Sequence, residues 1–312
     1  MNKIGVAVIG VGAWGKNHAR VYRELDNANL IAVCDINAER AKYFAEKFNC
    51  AWTTDYEELL NNPLIEAISV CTPTTTHYEV ASEALEHGKH VLVEKPMCGD
   101  VLKAKELVKK AQRKGVILSV GFIERFNPGV KRVKELIEKG EIGEIVLITS
   151  RRLTRWPERI TDVGVVKDTA IHDIDLFRYL SEDQVTEVFA IGGSIRHKLE
   201  DYVQALIRAK NCTGFIEANW LTPRKVRKLI VTGVDGIIHL DYLTQEVLIE
   251  KTDGVYSPAF RWIEPLKIEL EAFINAVAGK SEIEVTGQDG VLALEIAEAI
   301  IKSMKEGRSI RL

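Results

Sequence analysis

Short apolar runs alternate with amphipathic stretches along the first part of the chain. Runs rich in β-branched residues and bounded by polar turns predict five strands, at 4–9, 30–34, 66–70, 90–93 and 116–120. Between them, apolar positions spaced by three and four predict four helices, at about 15–26, 37–48, 77–87 and 100–114. This alternation is typical of an α/β domain whose parallel sheet is covered by helices on both faces.

The pattern changes after Gly121. A helix at about 128–139 ends at Gly140, a long strand follows at 144–153, and another helix begins near Ala170. Consecutive strands separated by turn residues come next, at 185–195, 201–209, 213–221, 227–233, 236–241 and 246–251. Consecutive strands of this kind predict an antiparallel sheet.

Two further helices are predicted near the end of the sequence, at about 265–278 and 287–305. We therefore expect an α/β domain over residues 1–120 and an α+β domain with a largely antiparallel open sheet over residues 121–312. The last helix is expected to pack back on the first domain.

Length and net charge exclude some classes of function but do not identify the function. The chain has 312 residues, enough for about two domains at roughly 150 residues each. Lys and Arg total 42 and Asp and Glu total 45, which gives a formal net charge of −3. The protein therefore has no overall positive charge with which to bind nucleic acid or an anionic membrane. No apolar stretch reaches the roughly 18 residues of a membrane helix, and the N-terminal residues do not read as a signal peptide. We expect a cytoplasmic protein with no membrane partner.

The cysteines and histidines indicate neither a disulfide framework nor a metal site. The five cysteines are scattered without a Cys-x-x-Cys pair, which favours reduced thiols. No cluster of His, Cys and acidic residues has metal-ligand spacing, so no metal is expected. Most of the histidines are interpreted as structural or surface residues, namely His18, His87, His90, His197 and His239.

A glycine motif follows the first predicted strand and opens the first predicted helix. It consists of Gly10, Gly12 and Gly15, with Ala13 and Trp14 between the last two. In such a G-x-G-x-x-G the first glycine allows a tight turn, the second lets the backbone approach a pyrophosphate, and the third lets helix and strand pack closely. Strand, motif and helix together predict a Rossmann dinucleotide-binding domain.

Asp35 ends the second predicted strand, 20 residues after Gly15. A carboxylate there would accept hydrogen bonds from the adenosine ribose and repel a 2′-phosphate, so NAD is favoured over NADP. Arg40 lies nearby and weakens that preference. The alternative is a plain glycine turn followed by a surface aspartate.

Two further segments reveal a family resemblance. Residues 71–77 read CTPTTTH and residues 88–96 read GKHVLVEKP. With the glycine motif, they resemble the glucose–fructose oxidoreductase and inositol dehydrogenase family, Gfo/Idh/MocA, over essentially the whole chain. The resemblance implies an NAD(P)-dependent dehydrogenase of sugars, polyols or related compounds, with a Rossmann domain followed by a domain with a largely antiparallel open sheet.

The resemblance also implies roles for residues of these segments. It places Lys95 beside the nicotinamide and the substrate, in a Lys-Pro peptide that is often cis in the family. Glu94 and Lys95 are both expected to contact the cofactor. An ammonium there can donate a hydrogen bond to the reacting hydroxyl and stabilise an alkoxide. The loop that lies along the cofactor in the family corresponds here to Thr72, Pro73, Thr74 and His77. As alternatives, Lys95 is a surface lysine and His77 a residue of a first helical turn.

The family's second motif, Asp-x-x-x-His, corresponds to Asp168 and His172. Four positions apart, they would share one face of a helix. An imidazole with an ordinary pKa near 6.5 suits a base that takes a hydroxyl proton. His172 is the candidate base, Lys95 polarises the reacting oxygen, and Asp168 orients that pair or the sugar. Asp175 supports the site or is a first-turn acid, and His172 is alternatively a structural residue at a helix start.

Two basic stretches suggest an anionic substrate. Residues 151–159 contain four arginines and residues 223–228 read PRKVRK, and guanidinium groups suit phosphate and carboxylate oxygens. Solvated loop charge and ion pairs are the alternative. The candidate substrate-binding residues are Arg125, Asn127, Arg151, Arg155, Arg159 and Arg224.

The segments around Asp168 and Trp220 resemble the UDP-N-acetylglucosamine 3-dehydrogenase branch of the family, which oxidises a sugar 3-hydroxyl to a ketone. Three functions remain open: this UDP-sugar activity, NAD-dependent oxidation of a free polyol or sugar such as inositol, and a non-catalytic NAD-binding sensor. The exposed face of an antiparallel sheet needs cover, and the family commonly pairs such faces. We therefore expect a homodimer or homotetramer.

Overall fold

The computed structural model describes residues 3–157, 162–259 and 261–312. Its contacts divide the chain into two compact units. The first contains Met1–Phe122 and Leu266–Val291, and the second contains Ile123–Pro265 and Leu292–Leu312. The first break lies close to the predicted domain boundary, but a segment near the end of the chain returns to the first unit.

A six-stranded parallel sheet forms the core of the first unit, in the order β3-β2-β1-β4-β5-β6. Its strands are β1 (Ile4–Ile9), β2 (Ala28–Cys34), β3 (Ala51–Thr53), β4 (Ala67–Val70), β5 (His90–Val93) and β6 (Leu118–Val120). Nearly every residue of β1, β4 and β5 is buried, as expected for parallel strands covered on both faces.

Helices connect these strands. They are α1 (Gly15–Glu24), α2 (Ala38–Phe48), α3 (Tyr56–Leu60), α4 (Thr74–Glu86) and α5 (Val101–Lys114). Side chains cap three of them, because Asn37, Asp55 and Asp100 accept hydrogen bonds from backbone N–H groups in the first turns of α2, α3 and α5. The α/β fold predicted for this part of the chain is confirmed.

Two elements of the first unit were not predicted, and one begins earlier than expected. Strand β3 has 3 residues and helix α3 has 5, too few to show a period. Helix α4 begins at Thr74 rather than near residue 77. Pro73, with φ −59°, has a backbone suited to a helix start, whereas three successive threonines carry no helical pattern.

The second unit is built on a nine-stranded mixed sheet in the order β14-β13-β12-β11-β7-β10-β9-β8-β15. Its strands are β7 (Ile145–Arg155), β8 (Val185–Gly193), β9 (Tyr202–Ala209), β10 (Thr213–Asn219), β11 (Leu221–Gly233), β12 (Ile237–Asp241), β13 (Glu246–Lys251), β14 (Gly254–Tyr256) and β15 (Ile310–Arg311). The pair β7–β10 is parallel and the other pairs are antiparallel. The predicted, largely antiparallel sheet is therefore confirmed.

Strand β11 departs from the sequence prediction. The polar segment before residue 227 reads as a loop, yet it is extended and belongs to the strand. Its pairing with β7 shifts register between Leu221 and Val226. Such irregular pairing re-aims side chains, and it explains why simple alternation did not reveal the strand.

The helical elements of this part of the chain lie between or after the strands. They are a 3₁₀ turn (Ile123–Phe126), α6 (Pro128–Glu138), a π-helical turn (Val166–Ala170), α7 (Ile171–Ser181), α8 (Pro265–Val277) and α9 (Gly287–Glu306). Helices α6 and α7 pack against the sheet of the second unit. The first residues of α9 belong to the first unit and the rest to the second. No helix among the described residues is both long and apolar enough to cross a membrane.

The other face of this sheet carries a transverse row of mostly apolar side chains. The row follows the strand pairing across seven neighbouring strands, β8 to β13 in sheet order. Its members are Phe189, Leu206, Phe215, Thr149, Ile230, His239 and Leu248. Leu206 is 54% exposed, whereas its strand neighbours Ala205 and Ile207 are buried. This outer row is therefore an exposed apolar surface of the second unit.

Candidate active site

The glycine loop between β1 and α1 needs glycine for two different reasons. Gly10 has φ +86°, and a side chain there would also press on the backbone of Cys71 and Thr72. At Gly15 a Cβ would lie 1.7 Å from the carbonyl oxygen of Gly10. Trp14 forms the N-cap of α1. The loop thus closes tightly and directs the N-terminus of α1 toward the end of β1.

Asp35 is held rigidly at the end of β2. It is 6% exposed, and its carboxylate accepts hydrogen bonds from the N–H groups of Val11, at 3.1 Å, and Asn37, at 2.9 Å. Arg40 forms an ion pair with it at 3.3 Å. The acid is therefore tied to the glycine loop, and the nearby arginine is occupied by the acid.

His77 links the loop after β4 to the segment after β5. It is 2% exposed; its Nε2 lies 2.8 Å from the carbonyl oxygen of Thr72 and its Nδ1 2.9 Å from that of Pro96. His77 lies in the first turn of α4, so it is both a first-turn residue and a bridge between the two loops. Pro73 is the N-cap of this helix and Thr74 is its first residue.

The Lys95–Pro96 peptide is cis, as the resemblance implied. Lys95 is half-buried and lies two residues after the end of β5. Its backbone N–H donates to Glu94 Oε2 at 3.2 Å. Glu94 was expected to contact the cofactor, but its carboxylate points into the first unit, where Oε1 lies 3.1 Å from His18 Nε2.

A buried chain of polar groups extends from Glu94 to α1. His18 is fully buried; its Nδ1 lies 3.2 Å from Ser69 Oγ, which lies 2.8 Å from the hydroxyl of Tyr22. Burial alone would raise the pKa of Glu94, but the hydrogen bond and charge of His18, with Lys95 nearby, hold it below its usual value. His18, expected to be structural or at the surface, is structural.

Asp168 and His172 lie in two different kinds of helix. Asp168 belongs to the π-helical turn and His172 to the start of α7, so the single α-helical turn expected for the pair is wrong. The hydroxyl of Thr169 donates to Asp168 Oδ2 at 2.9 Å, and the indole N–H of Trp220 donates to Thr169 Oγ1 at 2.9 Å. Single π turns are frequent at functional sites, and Trp220, 1% exposed, anchors this one.

Two of the predicted substrate residues are occupied inside the second unit. Arg125 forms a two-point ion pair with buried Asp175, at 2.8 and 2.5 Å, so the acid supports Arg125 from α7. Asn127 is 1% exposed; its side chain caps α6 and donates to the carbonyl of Tyr242. These partners give both residues structural roles within the second unit, and their contact with a substrate stays a prediction.

The remaining predicted arginines lie in different settings. Arg151 is on the outer face of β7, where it forms an ion pair with Glu217 at 2.7 Å. Arg155, at the end of β7, and Arg224, in the irregular part of β11, are exposed. Arg159 lies outside the described residues. Within the described ranges, no group of His, Cys, Asp and Glu is arranged to hold a metal ion.

Comparison with known proteins identifies the family. Residues 4–122 match the oxidoreductase family with an NAD-binding Rossmann fold, and residues 130–239 match the GFO/IDH/MocA C-terminal domain. An uncharacterised oxidoreductase of Bacillus subtilis, YrbE, is 31% identical over 99% of this chain and 97% of its own length. The chain belongs to the Gfo/Idh/MocA family. The resemblance seen in the sequence is therefore confirmed, and the protein is an NAD-dependent oxidoreductase acting on CH–OH groups.

Relatives with different substrates are similarly close to this Gfo/Idh/MocA oxidoreductase. Myo-inositol 2-dehydrogenase of Thermotoga maritima is 30% identical over 98% of both chains. UDP-N-acetylglucosamine 3-dehydrogenase of Acidithiobacillus ferrooxidans is 28% identical over 93% of this chain and 94% of its own. A crystal structure of the latter superposes with a TM-score of 0.91, covering 98% of this chain and 99% of that one. These two relatives thus differ in substrate, one being named for an inositol and the other for a UDP-linked sugar.

The residues of the first unit fit NAD. A Cβ at Gly12 would meet nothing within 4 Å, so the backbone there borders open space at the N-terminus of α1. A pyrophosphate suits that position, because free amides and the helix dipole favour negative charge. The Asp35 carboxylate can accept a hydrogen bond from a ribose hydroxyl. Ile36, which follows it, is 95% exposed and offers an apolar surface for adenine. Ile36 was not among the cofactor-binding residues predicted from the sequence.

Proposed function

We propose that this enzyme oxidises the 3-hydroxyl of a UDP-N-acetylhexosamine to a ketone. The observation that carries the proposal is the similarity to UDP-N-acetylglucosamine 3-dehydrogenase, with 27% identity and a TM-score of 0.91 over almost the whole of both chains. The basic segments of the second unit support it, since a nucleotide-linked sugar carries a diphosphate.

The proposed mechanism assigns roles to Lys95, Asp168 and His172. NAD⁺, when bound, accepts the hydride that leaves the carbinol carbon. His172 takes the proton of the hydroxyl as general base, and returns it as general acid in the reverse reaction. The Lys95 ammonium donates a hydrogen bond to the same oxygen and stabilises its developing negative charge. Asp168, oriented by Thr169, aligns the pair or the sugar.

The cofactor would be held along the carboxyl ends of the first sheet. Gly10, Gly12, Ala13, Trp14 and Gly15 would surround the pyrophosphate at the start of α1, and Asp35 would bind the adenosine ribose. The loop formed by Thr72, Pro73 and Thr74 would lie along the nicotinamide half. His77 fixes that loop to Pro96, and so relates it to Lys95.

A second candidate is NAD-dependent oxidation of a free polyol or sugar. It is favoured by the 30% identity to myo-inositol 2-dehydrogenase, which extends over 98% of both chains. The third possibility, a non-catalytic NAD sensor, is disfavoured because Lys95, Asp168 and His172 are all present.

One assay separates the three functions. The purified protein is incubated with NAD⁺ and, separately, UDP-N-acetylglucosamine, UDP-N-acetylgalactosamine, glucose and myo-inositol, while NADH absorbance is followed. We expect NADH only with the UDP-sugars, with a 3-keto product by mass spectrometry. NADH with inositol or glucose alone would establish the second function. Tight NAD⁺ binding without NADH from any substrate would favour the sensor.

A further inference from the structure

A buried charge cluster occupies the second unit between α7, the 3₁₀ turn and strands β7 and β11. Its centre is Arg152, which is 1% exposed. Its guanidinium donates to Glu124 at 2.7 Å and to Asp173 at 2.8 and 3.1 Å, and it lies over the ring of Tyr242. Burial opposes its charge, but these two carboxylates raise the pKa of Arg152 well above its usual value. Arg152 is therefore fully matched by negative charge.

Arg227 lies opposite Arg152 on the neighbouring strand and is much less well matched. Its Nη1 is 3.3 Å from Glu124 Oε1, the same oxygen that accepts the shorter bond from Arg152. Its Nε is buried and has no hydrogen-bond partner among the residues that the structure describes. Burial and the charge of Arg152 together lower its pKa. A buried guanidinium donor without an acceptor lowers the stability of the folded protein, so a bound anion at this position would be stabilising.

Lys225 lies two positions before Arg227 in β11 and is exposed, so it adds a second cation at the surface end of the cluster. The charge of Arg227 is the main cause that lowers the pKa of Lys225, with burial second and Glu124 opposing. Arg152 pairs with both Glu124 and Asp173, whereas Arg227 pairs only with Glu124. Both carboxylates bond most closely to Arg152, so the excess positive charge lies at Arg227 and Lys225.

The cluster is tied to the helix that carries the candidate base. Asp173, which anchors Arg152, directly follows His172 in α7. The predicted arginines fit an anion less well: Arg125 and Arg151 have carboxylate partners of their own within the second unit. Lys228, further along β11, is paired with Asp241.

We propose that Arg227 and Lys225 form an anion subsite that holds the phosphate or carboxylate group of the substrate while its hydroxyl faces His172. The subsite rests on the proposed function in that the ligand is a substrate of the dehydrogenase. It excludes an uncharged polyol as the preferred substrate, because such a ligand leaves the two cations unmatched. The planar fork of Arg227 supplies directed donors and Lys225 supplies a mobile charge.

The test measures anion binding separately from turnover. Isothermal titration calorimetry of the NAD-loaded protein is carried out with UDP, which offers a diphosphate, and with glucuronate, which offers a carboxylate. We expect Arg227→Gln to weaken binding of the preferred anion by roughly 10- to 100-fold, the usual weight of a charge-assisted hydrogen bond, and Lys225→Gln by roughly 5- to 10-fold. Arg113→Gln, which removes an exposed arginine of α5, is the matched control and should bind as the wild type does.

The outcomes are distinct from those of the turnover assay. Equal anion affinity in wild type, Arg227→Gln and Lys225→Gln would overturn the subsite even if the wild type oxidises UDP-sugars. Binding of neither anion by the wild type would overturn it as well. Anion binding that depends on Arg227, in a protein that leaves UDP-N-acetylhexosamines unchanged, would keep the subsite and reject the proposed substrate. If Arg227→Gln does not fold, the anion affinity of Lys225→Gln decides, because Lys225 is exposed and its replacement leaves the core intact.

Discussion

The position of the Lys95 side chain depends on neighbouring residues that hold the backbone on either side of it. Its N–H is held by Glu94, and the carbonyl of the following Pro96 is held by His77. The lysine is therefore presented from a backbone fixed on both sides, an arrangement that suits a group acting at a defined atom. The Glu-Lys-Pro motif identifies the lysine, but the residues that support it are distant in sequence. His77, which contacts Pro96, lies 18 residues before Lys95, and His18, which contacts Glu94, lies 77 residues before it.

Replacement of either proposed reacting group should slow turnover strongly and leave NAD⁺ binding nearly unchanged. We expect Lys95→Ala and His172→Ala each to lower kcat by roughly 10²- to 10⁴-fold, the usual contribution of a positioned proton-transfer group. The NAD⁺ dissociation constant, measured by fluorescence titration, should change little. Lys109→Ala and His87→Ala, at exposed positions, serve as controls. Near-normal turnover in both reacting-group variants would reject the mechanism.

Asp35 should determine the preference for NAD over NADP. We expect Asp35→Ala to raise the KM for NAD⁺ by roughly 10-fold, since a charged hydrogen-bond acceptor is lost. Discrimination against NADP⁺ should fall as well, because Arg40 loses its ion-pair partner and can meet a 2′-phosphate. Steady-state kinetics with both cofactors check this, with Asp26→Ala as an exposed control. Unchanged values for both cofactors would contradict the assignment.

At the scale of secondary-structure elements, the polar chain from Tyr22 to Glu94 joins α1 to β4 and β5. Helix α1 begins at the glycine loop and β5 ends two residues before Lys95, so this chain of polar groups fixes the glycine loop relative to the lysine proposed to react. Such a fully buried network rigidifies a core when every member is satisfied.

Loss of one member of this network should be more harmful than loss of two. We expect His18→Leu to lower the free energy of unfolding by roughly 3 kcal/mol, because it leaves the Glu94 carboxylate buried without its histidine. The double variant His18→Leu/Glu94→Leu should recover part of that loss. Urea unfolding followed by circular dichroism measures both, with exposed His87→Leu as control. A double variant less stable than His18→Leu would contradict the pairing.

The same pair predicts a pH dependence. The pKa of Glu94 is lowered in the folded protein from its usual 4.5. The stability that this provides is present above pH 4.5 and is lost as the pH falls through the folded-state pKa. The urea midpoint of the wild type should therefore fall more steeply than that of the double variant as the pH drops below 4.5.

Element prediction succeeded where periodicity was long and failed where the chain was short or irregular. The strands of 4 to 7 residues that face helices on both sides are plain in the sequence. The π-helical turn under Asp168 is not, since nothing local distinguishes it from the start of an α-helix. It is held by Trp220, which lies 51 residues away from Thr169.

At the scale of the whole molecule, the outer row of the second sheet suggests how copies assemble. Seven neighbouring strands contribute to it, and such contiguous exposed apolar surface marks interaction sites. We keep the prediction that two copies pair these faces to form a homodimer, or a homotetramer built from it.

A charge placed in the outer row should dissociate that assembly. Light scattering is expected to give a dimer or tetramer for the wild type and a smaller species for Leu206→Lys, because an ammonium would be buried against apolar side chains. Leu102→Lys, at a leucine of α5 that is 70% exposed, is the matched control. A monomeric wild type, or a Leu206→Lys protein of unchanged mass, would contradict the prediction.

The sequence by itself determined the class of fold, the cofactor and the candidate reacting residues, because these depend on local patterns. Strand and helix periods, the glycine motif and the Glu-Lys-Pro triplet each act through neighbouring residues. Asp35 could be proposed as the ribose-binding acid because such an acid stands at a set distance from the glycines.

Only the tertiary structure decided which charges remain available. Sequence shows a run of arginines and lysines, but pairing depends on strand register and on side-chain alternation. Arg151 and Arg152 are adjacent, yet one faces outward to Glu217 and the other inward to two carboxylates. Arg227 is set opposite Arg152 by the pairing of β11 with β7, across a long separation in sequence. Unmatched charge is a property of three-dimensional neighbours, and no local pattern carries it.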